Sequence, residues 1–205
     1  MSPSNDAWER ILTFWFGTDP GDPIAIKAKQ PLWFAADPAI DAEIRRLFLE
    51  DWSRAARGEF AAWTSEPAGA LAVVILLDQF SRNLERGKAE AFAHDDQALA
   101  VALAAIDSGL DRRLVPAQRS FLYFPFEHAE DLALQRRGVE HFAALVEDAG
   151  PEWTWLTEDT LHWARVHCEI VERFGRFPHR NRVLGRTTTA DETRFLAEGG
   201  HSFGQ

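Results

Sequence analysis

Residues 70–83 read ALAVVILLDQFSRN, eight apolar residues followed at once by a polar stretch. A run of this length suits either a buried parallel strand or a buried helix. Its alanines, Pro67 shortly before it and the polar continuation from Asp78 to Asn83 favour a central helix. The run is the longest apolar one in the chain and falls far short of the roughly 20 residues that a membrane helix needs. It therefore predicts a core element and no membrane span.

Helix start and stop signals recur on both sides of this run. Residues 189–192 read TADE, a capping box, and Gly199 follows to end that helix. Residues 38–57 and 95–109 repeat apolar side chains every three or four positions, and Thr157 opens a further helix that runs to Phe174. Turn-bounded stretches of alternating Val, Ile and Thr are missing. The sequence predicts an all-α protein of roughly eight or nine helices.

The connections predict a single domain over residues 1–205. They are brief except for residues 17–30, which are rich in Asp, Pro and Gly, and no Ser/Gly/Pro linker divides the chain. No repeat of about 34 residues, the period of helix-pair solenoids, recurs in the letters.

The composition narrows the class of protein. With 32 acidic against 22 basic residues the formal charge is −10, which excludes a general nucleic-acid or membrane-surface binder because those need a cationic face. The basic residues comprise 19 Arg and 3 Lys, and guanidinium groups suit the pairing of carboxylates or the binding of anions. The N-terminal stretch does not resemble a signal peptide and the single cysteine, Cys168, has no disulfide partner, so we expect a cytoplasmic protein.

Polar residues concentrate in three segments beside apolar runs. In the first, residues 77–83, Arg82 lies four positions after Asp78 and therefore on the same helical face, close enough for an ion pair. One interpretation is a buried pair that finishes the helix, since unpaired charges are rarely buried. In the other, Arg82 or Asn83 faces a ligand.

The second segment, residues 121–131, reads FLYFPFEHAED. If the helix restarts after Pro125 and runs over residues 126–148, its polar groups crowd a half-buried first turn, where carboxylates are favoured for structural reasons. His128 has an ordinary pKa near roughly 6.5 and an acidic neighbour, Glu127, which is typical of proton transfer at neutral pH. A structural histidine satisfied at the edge of the core is the alternative.

The third segment, residues 173–186, reads RFGRFPHRNRVLGR and holds five arginines and His179 without a carboxylate. The remainder of the chain has 17 basic and 32 acidic residues, so a cationic loop lies in an acidic body. Its guanidinium groups are able to bind a carboxylate or phosphate with two hydrogen bonds. They are equally able to neutralise Glu127, Glu130 and Asp131, and both interpretations stay open.

Metal and nucleophile chemistry find weaker support. Asp159 and His162 form one acid–histidine pair of the kind used in helical di-metal sites, but a second copy is missing. His162 and His167 are five residues apart, outside the spacing at which two imidazoles share one zinc ion, and Cys168 diverges from its neighbour His167 on a helix. Glycine-rich phosphate loops and the G-x-S-x-G elbow are absent. We therefore expect no metal and no cofactor.

Several of these segments together resemble a known family. ILLDQFSRN, AFAHDDQAL, FLYFPFEHAED, RFGRFPHRNRVLGR and the following TTTADE are similar to the bacterial domain of unknown function 924 family, from the N-terminal FWFG to Phe203-Gly204. The resemblance implies a compact all-α fold of the tetratricopeptide-like class. The family supplies no activity that could be carried over to this chain. Ser81 and Ala129 depart from the proline and serine of the family pattern. The family motifs fall on Asp78, Gln79, Arg82, Asn83, Glu127, His128, Glu130, Arg176, His179, Arg180, Asn181 and Arg186.

The leading hypothesis is a polar pocket for a small anionic ligand, and whether the pocket is catalytic stays open at this point. Arg176 and Arg180 would hold the anion and Asn181 would orient it. The further residues expected to bind the ligand are Arg82, Asn83 and Asp78. The residues expected to transfer a proton are His128, Glu127 and His179.

Two other classes of function compete with this hypothesis. The first is an interaction scaffold for a protein or peptide partner, because exposed Trp and Phe side chains anchor interfaces and the chain has 8 Trp and 15 Phe. The second is plain architecture, in which the motifs are helix caps and ion pairs. The sequence indicates no oligomeric state.

Overall fold

The computed structural model describes residues 5–200, which are helical with no β-strand among them. The helices are α1 Asn5–Phe16, α2 Pro23–Lys27, α3 Gln30–Phe34, α4 Pro38–Ala56, α5 Pro67–Val74, α6 Ser81–Leu84, α7 Asp95–Asp107, α8 Pro116–His128, α9 Leu132–Asp148, α10 Thr154–Phe174 and α11 Ala190–Ala197. Eight of them have eight or more residues. The all-α prediction is confirmed, whereas the tetratricopeptide-like arrangement stays a prediction. The Phe203-Gly204 pair of the resemblance lies outside the described residues.

The central helix predicted from the apolar run is confirmed and continues into the polar residues. Helix α5, a π-helical segment over Ile75–Phe80 and α6 follow one another without a break over residues 67–84. Every residue of this stretch from Gly69 to Asp78 is buried, and no described helix is both long and apolar enough to cross a membrane. A π turn inserts an extra residue into the helix and is frequent at functional sites. Here the π turn contains Asp78 and Gln79.

Aromatic side chains form the centre of the core and join four elements. The indole of Trp15 in α1 meets Phe80 of the π segment and Phe121 of α8 edge to face, with ring centroids 5.4 and 5.7 Å apart. Trp33 of α3 packs against Phe121 at 4.7 Å. Such pairs stabilise by about 0.5–1.5 kcal/mol each beyond the burial of their area. The aromatic residues of the sequence therefore contribute mainly to the packing of the core.

Helices α8, α9 and α10 pack against one another and form the side of the molecule next to the central helix. Gly138 lets α9 approach α8 closely, because a Cβ at this position would lie 2.7 Å from Cβ of Phe126. The end of α8 also lies beside α10, where Oε2 of Glu127 is 3.5 Å from Nδ1 of His167.

Two expected helix boundaries differ from the structure. Helix α8 runs through Pro125 instead of restarting there, and the chain becomes extended only after His128. One proline removes a single backbone hydrogen bond, and the packing of its neighbours outweighs that loss. Asp131 then caps α9 by accepting a backbone N–H at 3.0 Å. Glu127 and His128 thus occupy the last turn of α8, so the favourable N-terminal dipole that explains Asp131 does not explain Glu127.

The start of α10 also lies earlier than the sequence indicated. A short 3-10 turn over Pro151–Trp153 leads directly into the helix, which begins at Thr154 rather than at Thr157. The hydroxyl of Thr157 donates to the backbone carbonyl of Trp153 at 3.3 Å and does not cap the helix.

We predict that Gly69→Ala destabilises the protein by about 2 kcal/mol, because the added Cβ would lie 2.3 Å from the backbone carbonyl oxygen of Trp63. This clash outweighs the gain of about 1 kcal/mol that alanine brings to a helix interior. Urea unfolding measures the change. Gly21→Ala is the matched control, because its Cβ would meet only Asp19 at an ordinary 3.5 Å. Equal midpoints for the two variants would contradict the close packing of the central helix.

Candidate functional site

A cavity of about 500 Å³ lies between the central helix, α3, the end of α8, α10 and the loop after α10. Its volume is within the range of small-molecule sites. The cavity brings together side chains from all three polar segments of the sequence. The predicted site residues that line it are Arg82, Asn83, Glu127, His128, His179 and Arg180. Asp78 lies behind His128, while Arg176 and Asn181 lie outside the cavity wall.

His128 is held in the cavity wall by a buried carboxylate. Its Nδ1 lies 2.7 Å from Oδ1 of Asp78, and the side chain of Asp78 is fully buried. Burial and the charge of Arg82 keep the pKa of His128 below its ordinary value, although Asp78 acts in the opposite direction. A carboxylate only accepts hydrogen bonds, so Nδ1 of the neutral imidazole donates and Nε2 carries the lone pair.

Asp78 has three side-chain partners. Besides His128, it accepts from the amide of Gln79 at 2.6 Å and pairs with Arg82 at 3.1 Å. Burial opposes ionisation of this carboxyl, but the charge of Arg82 and the bond to His128 hold its pKa well below the usual range. The predicted ion pair of Asp78 with Arg82 is therefore present, and it positions a histidine as well.

Arg180 reaches the same network from the loop after α10. Its guanidinium lies 3.3 Å from Asp95, which also takes two hydrogen bonds from Arg82 at 3.0 and 3.1 Å. The rings of Phe92 and Phe177 lie 4.4 and 4.6 Å from its central carbon. Burial and the neighbouring Arg82 lower the pKa of Arg180 to about 10, which Asp95 only partly offsets. Its buried Nε finds no hydrogen-bond acceptor among residues 5–200.

The surroundings of Glu127 favour the neutral form of its carboxyl and raise its pKa. The side chain is buried, and its Oε1 has no hydrogen-bond partner within the described part of the chain. Oε2 lies 3.5 Å from Nδ1 of His167. Burial, followed by the charges of Asp78 and Asp159, raises the pKa of Glu127 well above its ordinary value. The protonated, neutral form of this carboxyl is thereby favoured, and in that form it is able to donate a proton.

Two further imidazoles in the wall are also neutral. Burial is the main reason that the pKa of His167 and that of His179 both fall to about 3, and the positive charge of Arg180 lowers each of them further. Nδ1–H of His167 donates to the backbone carbonyl of Trp163 at 2.8 Å. Among residues 5–200, no three His, Cys, Asp or Glu side chains are grouped closely enough to hold a metal ion.

Three of the other arginines of the 173–186 stretch pair with acidic side chains of the protein: Arg173, Arg176 and Arg186. Arg176 binds Glu192 at 2.7 and 3.0 Å, and Glu192 also completes the predicted capping box with Thr189 at the start of α11. Arg186 binds Glu130 at 3.0 Å and donates to Oδ1 of Asn181 at 3.0 Å. These contacts shape the loop and attach it to α11 and to the end of α8.

Asn83 lines the cavity, but its side-chain amide already forms a hydrogen bond with another residue of the protein. Its Nδ2 donates to Asp41 of α4 at 2.8 Å, and Arg86 binds the same carboxylate at 2.8 and 2.9 Å. This pairing attaches α4 to the segment that follows the central helix. Asn83 therefore offers the cavity only its remaining amide atoms.

Sequence reasoning did not place two parts of the wall in the site. Helix α3 supplies Trp33 and Phe34, and α10 supplies Asp159, Trp163 and His167. The α10 residues are spaced by four positions, so they share one helical face, and that stripe was the available signal. The α3 residues follow a loop rich in Asp, Pro and Gly and carried no comparable pattern.

Taken together, the cavity has three chemical elements. Neutral His128 offers a lone pair at Nε2 and is backed by Asp78, as in a general base with its orienting carboxylate. Neutral Glu127 offers a proton. Arg180 offers a buried N–H donor with a positive charge. Two titratable groups whose environments push their pKa values in opposite directions are typical of an acid–base pair.

Comparison with known proteins places the chain in a family without assigning a reaction. The family described as "Bacterial protein of unknown function (DUF924)" matches residues 11–200. A protein of unknown function from Agrobacterium tumefaciens has a similar solved structure, with 38% sequence identity and a TM-score of 0.81 over 96% of this chain and 100% of that one. The comparison with curated proteins finds no match.

We predict that Asp78→Asn destabilises the protein by about 3–5 kcal/mol, because it removes one of the two carboxylates that neutralise buried Arg82 and the charged acceptor of His128. Chemical denaturation at pH 7 measures the loss. Asp159→Asn is the matched control: it removes an exposed carboxylate of the same cavity wall that has no ion pair in residues 5–200. A loss for Asp78→Asn no larger than that for Asp159→Asn would contradict the structural role of Asp78.

We predict that His167 makes the protein less stable as the pH falls below about 6.5. Its folded pKa of about 3 lies below the unfolded value, so the unfolded chain binds the proton first and gains stability. The contribution reaches about 1.4 kcal/mol per pH unit between these two pKa values. His167→Gln should flatten the pH dependence of the unfolding free energy, whereas His162→Gln, an exposed change on the same helix, should not. Parallel profiles for wild type and His167→Gln would refute it.

Proposed function

The chain belongs to the DUF924 family of bacterial proteins of unknown function, and on the basis of its cavity we propose that it binds a small organic anion beside an acid–base pair. The ligand occupies the cavity between the central helix, α8 and α10. The anionic group lies at Arg180, and a proton-transfer step involves His128 and Glu127.

The observation that carries this proposal is that buried Arg180 shares its carboxylate partner and has a buried nitrogen without an acceptor. A guanidinium that is 6% exposed normally satisfies all its donors, because each buried unsatisfied group costs about 1–3 kcal/mol. Arg180 shares Asp95 with Arg82, and its Nε has no acceptor in the described chain. An anion in the cavity would contact the part of the Arg180 guanidinium that lines the wall and would supply the charge that one shared carboxylate does not. Arg82 already has Asp78 and Asp95 as partners. It would therefore act on the ligand mainly through its positive charge and not as a hydrogen-bond donor.

The acid–base part of the proposal follows from the two neighbouring residues at the end of α8. A ligand group with an acidic proton would transfer it to Nε2 of His128, and the negative charge of Asp78 would stabilise the resulting imidazolium. The neutral carboxyl of Glu127 would donate a proton to a basic atom of the ligand. His179 lines the same wall as a neutral imidazole and would accept a hydrogen bond rather than bind the anion by charge.

The proposal differs from the sequence-based hypothesis in the roles of Arg176 and Asn181. Both lie outside the cavity wall and both belong to the contacts that shape the loop. We assign them a positioning role: they hold the loop in the form that directs Arg180 inward. Arg180 is thus the one arginine of the 173–186 stretch that we assign to the ligand.

Few exposed hydrophobic side chains in the described chain support the interaction-scaffold alternative. Most Trp and Phe side chains are buried, and the exposed large hydrophobic residues within residues 5–200 are Ile24, Phe34 and Leu49. Three scattered side chains are ordinary for a protein surface and do not form a groove for a partner. Phe34 lines the cavity, so it fits the ligand proposal equally well.

We also propose a cytoplasmic location. Cys168 is the single thiol of the sequence and has no disulfide partner. Burial, followed by the charge of Glu172, raises the pKa of this thiol, so it is a weak nucleophile. An unpaired, unreactive thiol fits a reducing compartment.

We predict that acetate binds to the cavity and raises the pKa of His128, because a nearby negative charge stabilises the imidazolium. An NMR titration of the His128 Cε1–H resonance, with and without acetate, measures both effects. Arg180→Lys should weaken acetate binding about tenfold or more, since it removes the guanidinium donors. Arg182→Lys is the same substitution in the same loop, at an exposed position outside the cavity wall, and should leave the affinity for acetate unchanged.

Two outcomes would count against the proposal. In the first, acetate leaves the His128 resonance and its pKa unchanged at every concentration. In the second, Arg182→Lys weakens binding as much as Arg180→Lys, which would mean that the loop as a whole attracts the anion. Inorganic phosphate in place of acetate separates recognition of a carboxylate from recognition of any anion.

A further inference from the structure

Part of the cavity wall is aromatic and lies beside the charged groups. Five rings contribute to it, from α3, the turn before α7, α8 and α10. They belong to Trp33, Phe34, Phe92, Phe124 and Trp163. Burial of apolar surface alone does not require rings, because Leu, Ile and Val fill cores equally well. The wall is therefore a specific feature to be explained.

Phe34 is the most unusual of these residues. Its side chain lines the cavity and yet is 56% exposed, which is a large apolar surface left to solvent at the cavity mouth. Exposed apolar surface at the rim of a pocket is typical of a ligand-binding groove. Ala36, two residues later, also lines the cavity and has a φ of 48°, which is a strained value for a residue with a Cβ. Such strain is concentrated at functional sites.

Trp33 and Phe124 are held in place by neighbouring groups. Nε1–H of Trp33 donates to the backbone carbonyl of Trp15 at 3.0 Å, and its ring meets that of Phe34 edge to face at 6.0 Å. Phe124 packs against Phe121 with ring centroids 4.7 Å apart. Rings fixed in this way present defined faces and edges to the cavity rather than a deformable apolar surface.

The aromatic wall adjoins the anion end of the cavity. Phe92 lies 4.4 Å from the guanidinium carbon of Arg180, and Phe124 lies 6.3 Å from the ring of His128. A ligand whose charged group contacts Arg180 would therefore place its next atoms against aromatic rings.

We propose that the ligand is an aromatic carboxylate, whose carboxylate group binds Arg180 and whose flat ring packs against the aromatic wall. This inference rests on the proposed function and specifies its substrate class. A carboxylate fits better than a phosphate because Arg82 and Arg86 already donate to carboxylates of the protein. Among the cavity arginines of the described chain, the buried nitrogen that lacks an acceptor belongs to Arg180, which suits a group of single charge.

The first experiment compares ligands by calorimetry with the full chain. 2-Naphthoate and decahydro-2-naphthoate share a carbon skeleton and a charge, but only the first is flat and aromatic. We expect 2-naphthoate to bind about fivefold more tightly, because aromatic pairs gain free energy beyond the burial of area. 2-Naphthamide keeps the rings without the charge, and it should bind more weakly than 2-naphthoate.

The second experiment compares variants. Phe34→Ala should weaken 2-naphthoate about fivefold and leave acetate unchanged, since acetate does not reach the wall. Ile24→Ala removes another exposed hydrophobic side chain, 81% exposed and outside the cavity wall, and should change neither affinity. Both positions are exposed, so both variants should fold, and circular dichroism checks this.

The outcomes separate this inference from the proposal on which it rests. If the saturated acid binds as tightly as 2-naphthoate while acetate binding still depends on Arg180, the aromatic class is refuted and the anion site stands. Equal binding of 2-naphthamide and 2-naphthoate would refute the carboxylate end. If neither acetate nor 2-naphthoate binds, or if both bind independently of Arg180, the proposed function and this inference fail together.

Discussion

The organisation of this protein depends on one buried carboxylate. Asp78 is fully buried at the π turn of the central helix and binds His128 and Arg82. Arg82 also binds Asp95 at the start of α7, and Asp95 binds Arg180 from the loop after α10. Removing one partner from such a network leaves a buried charge without compensation. Four separate parts of the chain are thereby held at fixed distances around one cavity.

The network also sets the electrostatic character of the cavity. Burial and the positive charge of Arg82 lower the pKa of His128, while burial and the negative charges of Asp78 and Asp159 raise the pKa of Glu127. A base and an acid thus lie side by side at the end of α8, with their pKa values shifted in opposite directions. The π turn contains both Asp78 and Gln79 and lies at the point where the helix changes from apolar to polar.

The arginine-rich stretch combines a structural and a proposed functional role. Arg176 and Arg186 bind Glu192 and Glu130, so they neutralise carboxylates of the protein and fasten the loop. Arg180 lies between two aromatic rings and shares its single carboxylate partner with Arg82. The same residue type therefore differs in role according to burial and to the acids that the fold places nearby.

Local patterns determined the helical class, the central helix and the pair of Asp78 with Arg82, because hydrophobic period and i, i+4 spacing depend on neighbouring residues only. The restart expected at Pro125 was wrong because packing around α8 outweighed a local breaker signal. The tertiary structure alone decided that Arg180 and not Arg176 faces the cavity, and that Asp159 and Trp163 of α10 complete it. These facts depend on contacts between residues far apart in sequence, and no local period encodes them.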